Sequence, residues 1–141
     1  MQTYIGTKLL NARPMTRGEY NDYRGWPLPD DEDGNDPGYL VEYLDGGAPN
    51  HPNHSRYISW SPEDVFERAY SSLGRDVSEE PEYMQRLLGE LAELEQREKK
   101  LSVFLDTERF VQLPEKQQTL LHAQREFMRG YISILRLRTQ T

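Results

Sequence analysis

The sequence predicts an α+β chain: a small antiparallel sheet with short helices first, then an antiparallel α-helical hairpin. Three observations carry this. The chain has 141 residues, a length suited to one domain or two very small units. Its character changes near residue 75: both tryptophans, most glycines and all prolines but Pro81 and Pro114 lie before that point. After it, apolar residues recur at helical spacing among many Glu, Gln and Arg. The expected division is a β-rich module over 1–72, a polar linker over 73–82 and a helical hairpin over 83–141.

In the first module, Thr3, Tyr4, Ile5, Thr7 and Leu9 suit a strand that Pro14 should end. Thr16 followed by Glu19 has the form of a capping box, so a short helix should begin there and stop at Gly25 and Pro27. Pro27 to Gly38 is rich in Asp, Pro and Gly and reads as a solvated loop. "YLVEYL" alternates, with Tyr39, Val41 and Tyr43 on one face and Leu40, Glu42 and Leu44 on the other. A second strand is expected over Arg56 to Trp60. Ser61 as N-cap and Pro62 at the first helical position should then launch a helix whose apolar face is Val65, Phe66, Ala69 and Tyr70.

In the second module, Met84, Leu87, Leu88, Leu91, Leu94, Leu101, Phe104 and Leu105 form one helical stripe from about Pro81. Glu95 and Glu98 leave a polar gap in it. Phe110, Val111 and Leu113 should pack under the turn, and Pro114 should start the last helix. The expected apolar face of that helix is Leu120, Leu121, Gln124, Phe127, Met128, Tyr131, Ile134 and Leu135, with Leu137 at its end. Two amphipathic helices joined by a modest connection read as a hairpin.

Composition narrows the function. The net charge is −7, which argues against general nucleic-acid binding, since that needs a basic footprint. Cysteine is absent, removing disulfides and thiolate chemistry. No apolar run approaches the roughly 20 residues of a membrane span, and the first residues lack the apolar stretch of a signal peptide. The expectation is a protein of the cytoplasm. Hydrophobic content is 35% and tyrosines number nine. A thin core in a tyrosine-rich chain favours a homo-oligomer, because association buries surface that one chain cannot.

His51 and His54 stand in an H-x-x-H spacing on a Pro/Asn loop, without the third and fourth ligands a metal site needs. Asp30, Asp31, Glu32 and Asp33 form an acidic run that fails the calcium-loop spacing, because Gly34 precedes Asn35. As a negative surface the run suits a basic protein partner. No nucleophile elbow, P-loop or dinucleotide fingerprint is present, so no catalytic residue, metal ligand or cofactor is expected. From Arg125 onward the chain carries Arg125, Arg129, Arg136 and Arg138 against Glu126 alone. Arg125 and Arg129 share a helix face, and arginine forks suit phosphate. With Tyr131 and Tyr83 they are the candidate ligand-binding residues for a small anionic, nucleotide-type molecule. Dipole compensation at a helix C-terminus is the competing reading of these cations.

"YIGTKLLNARPMTRGEYNDYRGW", "GYLVEYLDGGAPNHP" and "YISWSPEDVFERAY" together resemble a small N-terminal module of tailed-phage and prophage accessory proteins. "LDTERFVQLPEKQQTLLHAQREFMRGYISIL", Leu105 to Leu135, resembles a phage helical-hairpin module. The two-part layout is similar to that of the phage anti-Thoeris signal sponges, which oligomerise and trap nucleotide-derived messengers. The resemblance implies a phage-encoded, non-enzymatic counter-defence protein acting in the host cytoplasm and sequestering a small anionic immune signal. A blocker of a host defence protein, of the anti-CRISPR kind, and a phage scaffold module without a defence role are the alternatives.

Overall fold

A computed structural model describes residues 1–141. The elements, in order, are β1 (Leu10–Pro14), α1 (Arg17–Arg24), β2 (Gly38–Tyr43), β3 (Ile58–Pro62), α2 (Glu63–Ala69), α3 (Glu82–Leu105), α4 (Glu108–Val111) and α5 (Glu115–Arg138). They divide into two units, Met1–Ser78 and Glu79–Thr141.

The first unit is built on a three-stranded antiparallel sheet ordered β1-β2-β3. Leu10 pairs with Tyr43 and Pro14 with Tyr39 across one side of β2, and Glu42 pairs with Ile58 across the other. The first strand lies later than the sequence predicts. Thr3, Tyr4, Ile5, Thr7 and Leu9 stay outside the sheet, because β2 ends at Tyr43 and offers no backbone to pair with them. Pro14 does end the strand, and it is tolerated there because β1 lies at the edge. The third strand is likewise displaced from Arg56–Trp60 to Ile58–Pro62. Pairing of Ser61 and Pro62 with Tyr39 and Gly38 holds both in the sheet. Pro62, with φ −57 and ψ 144, therefore takes the N-cap position expected of Ser61.

The capping box forms as the sequence predicts. Glu19 N–H donates to the Thr16 hydroxyl at 3.2 Å, and the Glu19 carboxylate accepts from Thr16 N–H. Gly25, at φ 73, closes α1 in the left-handed region that a glycine adopts without strain. Tyr20 of α1, Leu40 and Ile58 form the buried cluster on one sheet face, with Met15, Tyr23 and Trp60 packed around it. Trp60 Nε1–H donates to the Met15 carbonyl at 2.8 Å, which satisfies the indole inside this cluster. Gly38 makes room for that indole, since a Cβ there would overlap the Trp60 ring. On the opposite face, Tyr39 stacks on Phe66 of α2 at 4.2 Å between ring centroids. The polar segment after α2 packs with this unit: Val77 is buried, and Asn11 donates to Asp76 at 3.2 Å.

The second unit is a hairpin of two helices of 24 residues each, α3 and α5. Their antiparallel sense is read from side-chain pairs: Glu98 meets Arg129, and Glu95 meets Arg136. The buried seam is Leu87, Leu91, Ile132 and Leu135, with Met84 and Leu94 against it. At the turn, Phe110 is buried and meets Phe104 and His122 edge-on. Thr107 caps α4 by accepting from Phe110 N–H.

The last helix buries a narrower face than its pattern predicts. Leu135 is fully buried and Leu121 and Met128 are half-buried, but Phe127, Tyr131 and Ile134 point outward. Ile132, absent from the expected face, is buried. One partner helix covers only one stripe, so an apolar surface wider than that leaves part of itself in water.

Candidate functional site

The arginines of α5 and the acidic gap of α3 answer each other. Glu98 interrupts the apolar stripe of α3 and is only 19% exposed in its side chain. Three groups meet it. Ser102, one turn on, donates its hydroxyl at 2.7 Å. Arg129 donates Nε–H at 2.9 Å. The charge of Arg125 also acts on it. The Ser102 bond, and then the Arg129 bond, hold the Glu98 carboxyl below the ordinary glutamate range. Arg136 pairs with Glu95 at 3.6 Å, closing the rest of the gap. The polar break in the stripe is thus an inter-helix ion-pair ladder.

This ladder decides which cations remain available. Arg129 is held by Glu98 and, more loosely, by Glu126 at 3.7 Å, yet half of its side chain stays exposed. Arg125 is different. Its side chain is 22% exposed, its Nε approaches Glu126 only at 3.9 Å, and that buried Nε–H has no hydrogen-bond partner. A buried donor left unpaired costs free energy, roughly 1–3 kcal/mol. Arg125 therefore holds a buried Nε–H that the chain itself leaves unpaired, with Glu126 as the nearest opposite charge.

Tyr131 donates its hydroxyl to Glu90, and this bond raises the Tyr131 pKa above the usual phenol value. Tyr83 stands near the start of α3, exposed. It lies roughly 20 Å along the helix axis from Glu98, where Arg129 docks. One chain therefore brings Arg125 and Arg129 together around Glu98, places Tyr131 toward Glu90, and leaves Tyr83 apart. A site using all four residues requires more than one copy of the chain.

The outward face of α5 has its own regularity. Leu120, Phe127 and Ile134 are seven residues apart and all more than half exposed. Ala123, Gly130 and Leu137 lie three residues after each of them, at the fourth position of the same heptad, also exposed. This is the a/d spacing of a helix that packs along another helix.

In the acidic run, Glu32 is already engaged: Arg17 grips it through Nε at 3.0 Å and Nη2 at 2.5 Å. Asp33 accepts from Asn35 N–H at 2.9 Å. Asp30, Asp31 and Asp33 are exposed and form the negative surface that remains.

The histidine loop has an architecture that the spacing did not reveal. His51 Nδ1 accepts from Asn53 N–H at 3.1 Å, so its proton sits on Nε2 and is donated to the Tyr23 carbonyl at 3.0 Å. His54 lies between Glu42, 2.6 Å from Nδ1, and the Tyr23 hydroxyl, 2.6 Å from Nε2. The His51 ring stacks on Tyr23 at 4.3 Å. Both histidines thus bind this loop to α1 and β2. No group of three or more His, Asp or Glu residues is placed to hold a metal ion. The Glu42–His54–Tyr23 chain joins residues 12 and 31 positions apart; the only hint in the sequence is that Glu42 interrupts a strand otherwise made of apolar and aromatic residues.

The second unit is thus a two-helix hairpin with an arginine-bearing face over internal acids and an unpartnered heptad face beside it, a form suited to binding. Residues 81–141 match a family model described as Sequestin. The second unit is similar to that family; the matched span begins at Pro81 and leaves the first unit outside it. No curated protein and no solved structure matches the chain. No helix is long and apolar enough to cross a membrane.

Proposed function

We propose that the chain is a phage-encoded, non-enzymatic sequestering protein that binds a small anionic, nucleotide-type immune signal stoichiometrically in the host cytoplasm. The observation that carries this reading is the Sequestin match. It falls on the segment that holds the arginine face, and the family's name denotes sequestration. The half-exposed Arg129 can exchange Glu98 or Glu126 for phosphate, and Arg125 one turn before it adds positive charge. The heptad face of α5 supports a homo-oligomer formed through that helix, which would set Tyr83 and Tyr131 of different copies around the arginines.

Calorimetric titration with cyclic nucleotides and ADP-ribose isomers tests the reading. Saturable heat with one of them is expected, lost in the double variant Arg125→Gln/Arg129→Gln. Absence of heat with every member of the panel overturns it. Capture of a defence complex from a host lysate, abolished by neutralising Asp30, Asp31 and Asp33, favours the protein-blocking reading instead.

A further inference from the structure

The first unit carries an open groove of about 530 Å³ on the sheet face that packs α1. That size falls within the roughly 300–1,000 Å³ of small-molecule sites. Its walls include two arginine–indole pairs. The Arg17 guanidinium lies over the Trp60 ring at 4.9 Å, and the Arg24 guanidinium over the Trp26 ring at 4.2 Å. Tyr57, 43% exposed, adds a third aromatic wall.

The two arginines are not equivalent. Arg17 is neutralised by the two-pronged bond to Glu32, which also lines the groove. Arg24 has no carboxylate partner; its one hydrogen bond runs from Nη1 to the Tyr20 hydroxyl at 3.1 Å. A guanidinium seated over an indole is pre-organised. Its outer face can stack a planar ring, and its remaining N–H edge can grip an anion. The groove therefore combines flat stacking surfaces with one uncompensated positive charge. Glu32 disfavours a second negative charge near Arg17.

We propose that this groove is a second binding site, separate from the helical hairpin, for a planar aromatic ring bearing one phosphate, that is, a purine nucleoside monophosphate. The ring stacks among Trp26, Tyr57 and the arginine planes, and the phosphate meets Arg24. The site lies wholly within the first unit and does not depend on the reading of the hairpin.

The chain supplies its own reporter. Both tryptophans line this groove, and the hairpin has none. Adenosine 5′-monophosphate is titrated into the full-length protein while tryptophan emission is followed, with inorganic phosphate as control. Saturable quenching by the nucleotide and none by phosphate is expected. Arg24→Gln should weaken the apparent affinity roughly tenfold or more, Trp26→Phe should retain binding with reduced quenching, and Arg125→Gln/Arg129→Gln should leave it unchanged. Circular dichroism verifies that each variant is folded. Absence of saturable quenching, or quenching that Arg24→Gln does not weaken, overturns the proposal. Quenching lost in the hairpin variant also overturns it. Calorimetric binding lost only in that variant, with tryptophan emission silent, would sustain the hairpin reading and refute this one.

Discussion

Replacing His54 by alanine removes the middle of the Glu42–His54–Tyr23 chain and leaves a carboxylate and a phenol facing each other without the imidazole between them. The His54 side chain is 14% exposed and that of Glu42 19%. Both 2.6 Å bonds therefore lie largely out of solvent. A hydrogen bond to a charged group contributes roughly 1.5–3 kcal/mol and a neutral one roughly 0.5–1.5. Water can reach this partly open site, so a loss of about 2 kcal/mol is expected rather than the full sum. Both tryptophans belong to the first unit, so their fluorescence follows that unit during urea unfolding. With a slope near 1 kcal/mol/M for a unit this small, the midpoint should fall by about 2 M. Tyr23→Phe should cost about 1 kcal/mol. The double variant should cost less than the sum, with a coupling of roughly 0.5 kcal/mol or more. If His54→Ala shifts the midpoint by less than about 0.3 M, or the two changes add without coupling, the loop is not pinned by this chain of bonds.

Two further outcomes concern the hairpin, which holds both long helices and so dominates the helical dichroism. Leu135 is fully buried between the helices. Leu135→Ala should cost about 3 kcal/mol and lower the melting temperature of the helical signal by roughly 12–24 °C, while the tryptophan transition stays in place; a shift of only a few degrees would show that the seam is not the hairpin's core. The lowered pKa of Glu98, set first by Ser102 and then by Arg129, fixes a sign. Its contribution is fully present above the unfolded glutamate value of about 4.3 and is lost as pH falls through the lower folded value. Glu98→Gln should therefore melt earlier than the parent at pH 7, and the difference should shrink toward pH 3; a difference independent of pH would remove Glu98 from the ladder.

The outline of the fold is legible where a local signal dominates. The capping box at Thr16 and Glu19, the alternation of Tyr39 to Tyr43 and the helix starts after Pro81 and Pro114 are all local, and all stand where the pattern puts them. The strand boundaries at Leu10 and Pro62 are not local. They depend on where β2 stops offering partners, which no residue within β1 or β3 states. The buried face of α5 is not local either: periodicity gives the width of the apolar surface, and the single partner helix decides which stripe is buried. For the candidate site, the arginines were visible as a charge cluster, and the Glu95–Glu98 gap was visible as a defect. Their complementarity appeared only when the hairpin set one against the other.

Asn50 has a consequence beyond the loop that contains it. Its side chain both accepts from Ile58 N–H at 2.8 Å and donates to the Ile58 carbonyl at 2.9 Å. A single amide thereby imitates a neighbouring strand for the first residue of β3, the outermost strand on that side. Open strand edges invite another chain to add on. Here the inviting groups at Ile58 are already taken, so the start of this edge is protected by a side chain of the loop that leads into it. A strand adding on at this point would first have to displace the Asn50 amide.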